Sequence, residues 1–326
     1  MTSTVLVTGA NGFTGSNLCR RLVEQGHHVR GLVRPTSNLA ALDGLKVELV
    51  LGDLTGDLPA GMLDGVDKVY NIAAMYRHQG ADRDFYQVNA DGTERLLEAA
   101  RKAGVRRFVQ CSTVGVLGNI ENPPANEESP YAPGDSYQRS KMVGEQCALD
   151  YGRTHGFPVT VVRPGAIYGP GDLRFLKLFK GIDRGTFVIL GGGEVFYHYV
   201  YIDDLVQGLI LAGEKDEAIG EIFIVAGDQY VTVNTIARMI AEALGRSGRF
   251  LHVPLAPVML AARVCQAVCE RLNVEPPLYP RRLDFFRKHR AFDISKARRI
   301  LGYEPQVSLR EGIARTADWY RQNGYL

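Results

Sequence analysis

The segment TVLVTGANGFTG, residues 4–15, constrains the fold more than any other stretch of the chain. A short apolar run rich in β-branched residues ends at a glycine, which suits a strand buried in a parallel sheet. Gly9, Gly12 and Gly15 then lead into a helical pattern, GSNLCRRLVEQG, closed by Gly26. Gly9 permits a tight turn, Gly12 lets backbone N–H groups approach an anion, and Gly15 lets the helix pack closely on the sheet. The positive end of the helix faces the same turn. A glycine-rich turn without a ligand would use the same residues, so the rest of the chain has to separate the two readings.

That rest alternates strand and helix. HVRGLVR, KVELVLGDL and KVYNIAA read as strands, followed by an amphipathic helix in NADGTERLLEAARKAG. RRFVQCST is a fifth strand, SYQRSKMVGEQCALDYGRTHG a long helix, and PVTVVRPG a sixth strand. Repeated βα units of this length predict an α/β fold with a doubly wound parallel sheet and helices on both faces. VYIDDLVQGLILAGE and GEIFIVAG read as a further helix and an edge strand of that sheet. The sheet domain is therefore expected over residues 1–170 and about 199–227. A smaller, mixed, discontinuous substrate domain is expected over about 171–198 and 228–326, where Pro254, Pro257, Pro276, Pro277 and Pro280 break the rhythm. Open sheets of this kind bind ligands at the C-terminal edge, where strand order reverses.

Composition narrows the function. A net charge of +2 gives no nucleic-acid footprint. The five cysteines (Cys19, Cys111, Cys147, Cys265 and Cys269) are scattered, without zinc spacing, so no metal site is expected. They read as reduced, mostly buried thiols, and with no leader-like N-terminus they point to the cytoplasm. No window has the roughly 18 apolar residues of a spanning helix. The apolar stretch VPLAPVMLAARVCQAV (253–268) reads as a helix, with core, dimer face, pocket wall and peripheral membrane contact all open.

In DSYQRSK, Tyr137 stands four residues before Lys141, one helical turn away on the same face. Alone, this is a solvated polar pair. Together with the glycine turn, RPGAIYGPGD, VNADGTERLLEAA, YIDDL and FDISKARRILGYEPQVSLREGI, in that company and order, it resembles the extended short-chain dehydrogenase/reductases, the NAD-dependent epimerase/dehydratase-like family. The similarity runs the full length and leans to the 3β-hydroxysteroid dehydrogenase and dihydroflavonol reductase-like branch.

The resemblance implies a Rossmann fold, a nicotinamide dinucleotide and a homodimer. It makes Tyr137 the general acid/base and Lys141 the residue that lowers the phenol pKa and binds the nicotinamide ribose. Thr113 orients the substrate oxygen, with Ser112 as its possible substitute. Either hydroxyl could instead bond local backbone. Cofactor contacts fall on Gly9, Gly12, Phe13 and Gly15, on Asp53 and Leu54, on Ala73 in NIAAMY, and on Pro164. Val33 stands where NAD-preferring relatives place an acid, and Arg34 follows it. An arginine suits a 2′-phosphate, so NADP is favoured, with NAD possible and a solvent-facing Arg34 as the alternative.

For a small-molecule substrate, Tyr76, Tyr168, Tyr197 and Arg281 are the candidates. Tyr197 occupies the place where sugar-nucleotide enzymes commonly carry a diphosphate-gripping arginine, which favours a small or apolar substrate. Arg281, Arg282, Arg287 and Arg290 could bind phosphate or form a solvated face. The first reading is an NAD(P)-dependent oxidoreductase acting on a hydroxyl or carbonyl. A nucleotide-sugar 4-epimerase with tightly bound NAD and a non-catalytic NADP-binding sensor are the alternatives.

Overall fold

The computed structural model describes residues 2–76, 81–272, 274 and 276–326. Its first strand, β1 (Thr4–Thr8), lies inside a seven-stranded sheet. The other strands are β2 (His28–Val33), β3 (Val47–Leu51), β4 (Lys68–Asn71), β5 (Arg107–Cys111), β6 (Val159–Pro164) and β10 (Ile222–Val225). The order is β10-β6-β5-β4-β1-β2-β3, parallel throughout. Alternation along β1 shows why both faces must be covered. Val5 and Val7 pack into one core with Leu18 and Leu22 of α1 (Phe13–Glu24) and Leu205 and Leu209 of α6 (Ile202–Glu214). Leu6 packs into the other with Leu96, Leu97 and Ala100 of α3 (Gly92–Lys102) and Ala148 of α4 (Ser136–His155).

The chain order reverses between β1 and β4. There the turn after β1 meets the turn after β4 so closely that a Cβ on Gly9 would lie 2.9 Å from the Cα of Ala73. Gly9 also has φ +62°, which a side chain would strain.

After β6 the chain leaves the large sheet and returns to it with α6 and β10. In between and afterwards it builds β7 (Ala166–Tyr168), β9 (Phe196–Tyr201) and β11 (Tyr230–Thr232) into a three-stranded sheet. A two-stranded sheet joins β8 (Val188–Leu190) to β12 (Leu251–Val253). Around these lie α5 (Leu176–Asp183), α7 (Val233–Leu244), α8 (Leu255–Arg271) and α9 (Leu309–Gln322). Tyr197, Tyr199 and Tyr201 alternate along β9 and share one face with Tyr168 of β7 and Phe175.

Two boundaries differ from the sequence reading. FYHYVY is a strand of the small sheet, so the helix in YIDDL begins at Ile202. The helix expected from Asn89 begins earlier, as α2 (Asp82–Tyr86), and runs into α3 through a π-helical turn at Gln87–Asp91. The wider turn carries Asn89, whose side chain is buried. All five cysteines are free; Cys19 and Cys111 are buried and the other three half-buried, so burial is less general than their scatter suggested.

Helix α4 packs directly onto that π-turn, because Gly144 has no side chain. A Cβ there would stand 1.9 Å from the carbonyl oxygen of Asn89. Gly144→Ala should therefore destabilise the protein by roughly 1–3 kcal/mol, against the gain expected from helix propensity. Chemical denaturation of the two proteins decides it; an unchanged or raised midpoint would refute this account of the contact.

Candidate active site

The glycine turn forms the floor of the site. Gly12 donates its N–H to Gly9 O at 3.0 Å and precedes α1 in an extended conformation with no side-chain cap. The first N–H groups of α1 are thus free of side-chain acceptors, and a Cβ at Gly15 would lie 2.2 Å from Gly9 O. A closely packed turn with uncapped helical N–H groups fits the pyrophosphate of a dinucleotide. Phe13, the first residue of α1, lies under the Arg174 guanidinium, 5.5 Å from the ring centre.

At the end of β2, Val33 is buried in the core and Arg34 is the first exposed residue beyond it. The Arg34 side chain makes no hydrogen bond or ion pair among the described residues. The Asp53 carboxylate accepts from Thr55 N and Thr55 Oγ1, both at 2.9 Å. Leu54 is buried, and its carbonyl accepts from Arg95 Nε at 3.1 Å, which ties this loop to α3.

From the turn, a buried ladder of hydrogen bonds crosses the sheet edge. Thr8 Oγ1 donates to Asn71 Oδ1 at 2.7 Å and accepts from Ala73 N at 3.0 Å. Asn89 Oδ1 accepts from Met75 N at 2.9 Å, while its Nδ2 donates to Met75 O at 3.1 Å and to Ser140 Oγ at 2.9 Å. Ser140 Oγ in turn donates to Tyr137 O at 2.8 Å. Asn89 plays a structural role here, and Ser140 was missed by the sequence reading, because nothing in its spacing marks it.

Asp135 caps α4, its Oδ1 accepting from Gln138 N at 2.8 Å, and so fixes the turn that presents Tyr137. The Tyr137 ring meets Tyr76 edge to face, 5.0 Å between centres. Lys141 is buried one turn on, and its Nζ donates to Cys111 O at 2.6 Å. This corrects one expectation. Burial raises the Tyr137 pKa above the usual phenol value, with Cys111 and Tyr76 adding to it. Burial also lowers that of Lys141. The amine is turned to the end of β5, and desolvation of the phenolate outweighs charge attraction.

At that end, Thr113 caps a short 3-10 turn (Val114–Leu117), Oγ1 accepting from Gly115 N at 3.0 Å. Its hydroxyl hydrogen is left for another acceptor. Ser112 is buried, and its Oγ has no partner among the described residues.

The other wall of the cleft comes from residues after Pro280. Arg281 pairs with Asp135 at 3.0 Å, next to the turn that carries Tyr137. The remaining arginines of the set are engaged locally. Arg282 donates to Pro277 O at 2.6 Å, Arg287 pairs with Asp284 at 2.7 Å, and Arg290 lies 5.8 Å from the Tyr197 ring centre. Tyr197 is buried against Phe285, and burial pushes its phenol up to about 12.

Tyr168 is not on the cleft, contrary to expectation. It is 1% exposed, packed against Phe175, Tyr199 and Tyr201, with its hydroxyl toward Leu309 O. β7 turns the ring inward beneath α9, where Gly312 leaves room for it. Pro164, at the end of β6, is buried beside Val225.

Behind Lys141, the same face of α4 carries Glu145, fully buried and bonded to Arg163 of β6 through Nε at 3.1 Å and Nη2 at 2.5 Å. Tyr131 donates to the same carboxylate at 2.7 Å. Breaking a buried pair strands a charge, so Glu145→Gln should cost about 3–5 kcal/mol. Removing both charges with Glu145→Gln/Arg163→Met should recover most of it. A double-mutant cycle by denaturation measures this, and strictly additive losses would contradict it.

Comparison with known proteins agrees with this geometry. Residues 5–226 match the model of the NAD dependent epimerase/dehydratase family. Sterol demethylase protein B of Methylococcus capsulatus is 34% identical, over 99% of this chain and 100% of that protein. A 3 beta-hydroxysteroid dehydrogenase/Delta 5-->4-isomerase of Mycobacterium tuberculosis is 31% identical, over 97% and 90%. The crystal structure of UDP-glucuronic acid 4-epimerase from Bacillus cereus in complex with NAD superposes with a TM-score of 0.79 at 25% identity, covering 98% of this chain and 99% of that one. The chain belongs to the NAD dependent epimerase/dehydratase family and is an enzyme of the extended short-chain dehydrogenase/reductase type.

Proposed function

We propose that the protein transfers a hydride to or from the hydroxyl or carbonyl carbon of an apolar, sterol-like small molecule, with Tyr137 as general acid/base. The observation that supports this is that α4 brings Lys141 Nζ onto Cys111 O at the end of β5, next in the chain to Ser112 and Thr113, with Tyr137 one helical turn away. The turn Gly9–Gly15, Asp53, Leu54, Ala73 and Pro164 would hold a nicotinamide dinucleotide. When bound, that group supplies or accepts the hydride.

Tyr137 Oη moves the accompanying proton. Its raised pKa keeps the phenol protonated through neutral pH, which suits a proton donor to a developing alkoxide. Thr113 donates its free hydroxyl hydrogen to the same oxygen and fixes the carbonyl, with Ser112 able to substitute. Lys141 would bind ribose hydroxyls from its place at the end of β5. Tyr76 and Tyr197 line the substrate side, and Arg281 closes over Asp135.

An apolar substrate is favoured over a sugar nucleotide for two reasons. Tyr197 stands where sugar-nucleotide enzymes commonly carry the diphosphate-gripping arginine, and the nearby arginines are held by their own neighbours. The two relatives named above carry sterol or steroid in their names. The domains, as we propose them, are a cofactor domain over 1–170 and about 199–227 and a substrate domain over the rest. We also propose a cytoplasmic homodimer pairing through two helices, one of them α4, whose Val143 is exposed.

Reduction of sterol ketones, followed by loss of nicotinamide absorbance, tests the chemistry. Tyr137→Phe should lower turnover roughly 10²-fold or more while cofactor affinity stays nearly constant. Activity that survives the change, or turnover of UDP-sugars alone, would reject the reading. We assign NADP on Arg34, so Arg34→Ala should raise the NADPH KM roughly tenfold and leave that for NADH unchanged. Equal effects on the two would return the preference to NAD.

A further inference from the structure

Helix α8 is apolar on both sides, and the fold covers one of them. Ala262 is fully buried, and Val258, Met259, Cys265 and Cys269 are half-buried on the same side. The outer side carries Leu260, Val264, Val268 and Leu272, one per turn, with exposures of 64%, 55%, 49% and 67%. Ala256, Pro257, Ala261 and Ala267 fill the stripe between them, all exposed. Leu251 on β12 and Val274 just past the helix are exposed as well. Monomeric soluble proteins rarely leave so continuous a stripe open, and an all-round apolar helix normally has something on each face.

The charge beside the stripe says what that is. Between residues 246 and 274 the chain carries Arg246, Arg249, Arg263 and Arg271 against Glu270 alone. Arg246 and Arg249, with Arg184, Ser247 and Phe250, line a groove of about 300 Å³ directly before β12 and α8. Asp183 offsets only Arg246, at 3.1 Å. Apolar side chains flanked by excess arginine match the two layers of a lipid surface, acyl chains beneath anionic headgroups. At 17 residues, α8 is about 25 Å long. No helix among the described residues is long and apolar enough to cross a membrane, so α8 would lie along the surface.

We propose that the outer face of α8, with Leu251 and the arginines of the adjoining groove, docks the protein on an anionic lipid surface. This stands apart from the catalytic reading, since its readout is binding alone. The test uses the full chain with vesicles of phosphatidylcholine, with and without phosphatidylglycerol. We expect co-sedimentation with the anionic vesicles, roughly tenfold stronger than with neutral ones and weakened by salt. Leu260→Ser/Val264→Ser/Leu272→Ser should weaken binding at least about tenfold without lowering the melting temperature, because these side chains touch solvent. Arg249→Gln/Arg263→Gln should remove the preference for anionic vesicles. Absence of binding, or binding untouched by the triple serine variant, overturns the proposal. So does self-association by light scattering that the triple variant abolishes without any vesicle binding; that result would give the face to a second copy of this chain.

Discussion

The contact on which the site depends is the double hydrogen bond between Asn89 and the backbone of Met75. It holds the loop after β4 against the π-turn and, through Ser140, against the first turn of α4. The side chains of Thr8, Asn71, Asn89, Thr93 and Ser140 in this ladder are buried, and an unmade bond at one of them would cost about 1–3 kcal/mol in desolvation. The ladder is therefore satisfied as a whole, from Thr8 beneath the glycine turn to the carbonyl of Tyr137. The glycine turn and helix α4, separated by more than a hundred residues of sequence, become one rigid unit. Gly144 makes that possible, since any side chain would hold α4 off the Asn89 carbonyl.

Charge is handled in two ways along the inward face of α4. Lys141 is buried with a backbone carbonyl as its acceptor, so its charged form is only partly compensated. Glu145, one turn further, is compensated fully by Arg163 and Tyr131. The first arrangement leaves a buried amine held by one backbone carbonyl. The second ties α4 to β6, so that Lys141 sits on a fixed support.

Motif-bearing parts of the site were legible in the sequence because their chemistry is local. The glycine turn, the strand and helix around it, and the pairing of Tyr137 with Lys141 follow from periodicity, glycine freedom and the helical repeat. Side-chain direction at longer range was not legible. Tyr168 and Tyr197 are both tyrosines near the sheet edge, yet one is sealed beneath α9 and the other packs against Phe285 beside the cleft. The basic run from Arg281 to Arg290 reads as a phosphate site or a solvated face. In the fold, most of these side chains are matched individually to carboxylates, carbonyls or rings.

By itself the sequence determined the doubly wound sheet, the glycine turn and the helical pairing of Tyr137 with Lys141. These depend on patterns a few residues long, where backbone geometry leaves little choice. Tertiary structure alone decided which hydroxyl is capped and which is orphaned, where the lysine points, and which face of α8 stays uncovered. Those outcomes depend on burial and on partners distant in the chain, and the free energy of a charge or an apolar surface is set by what the fold places beside it.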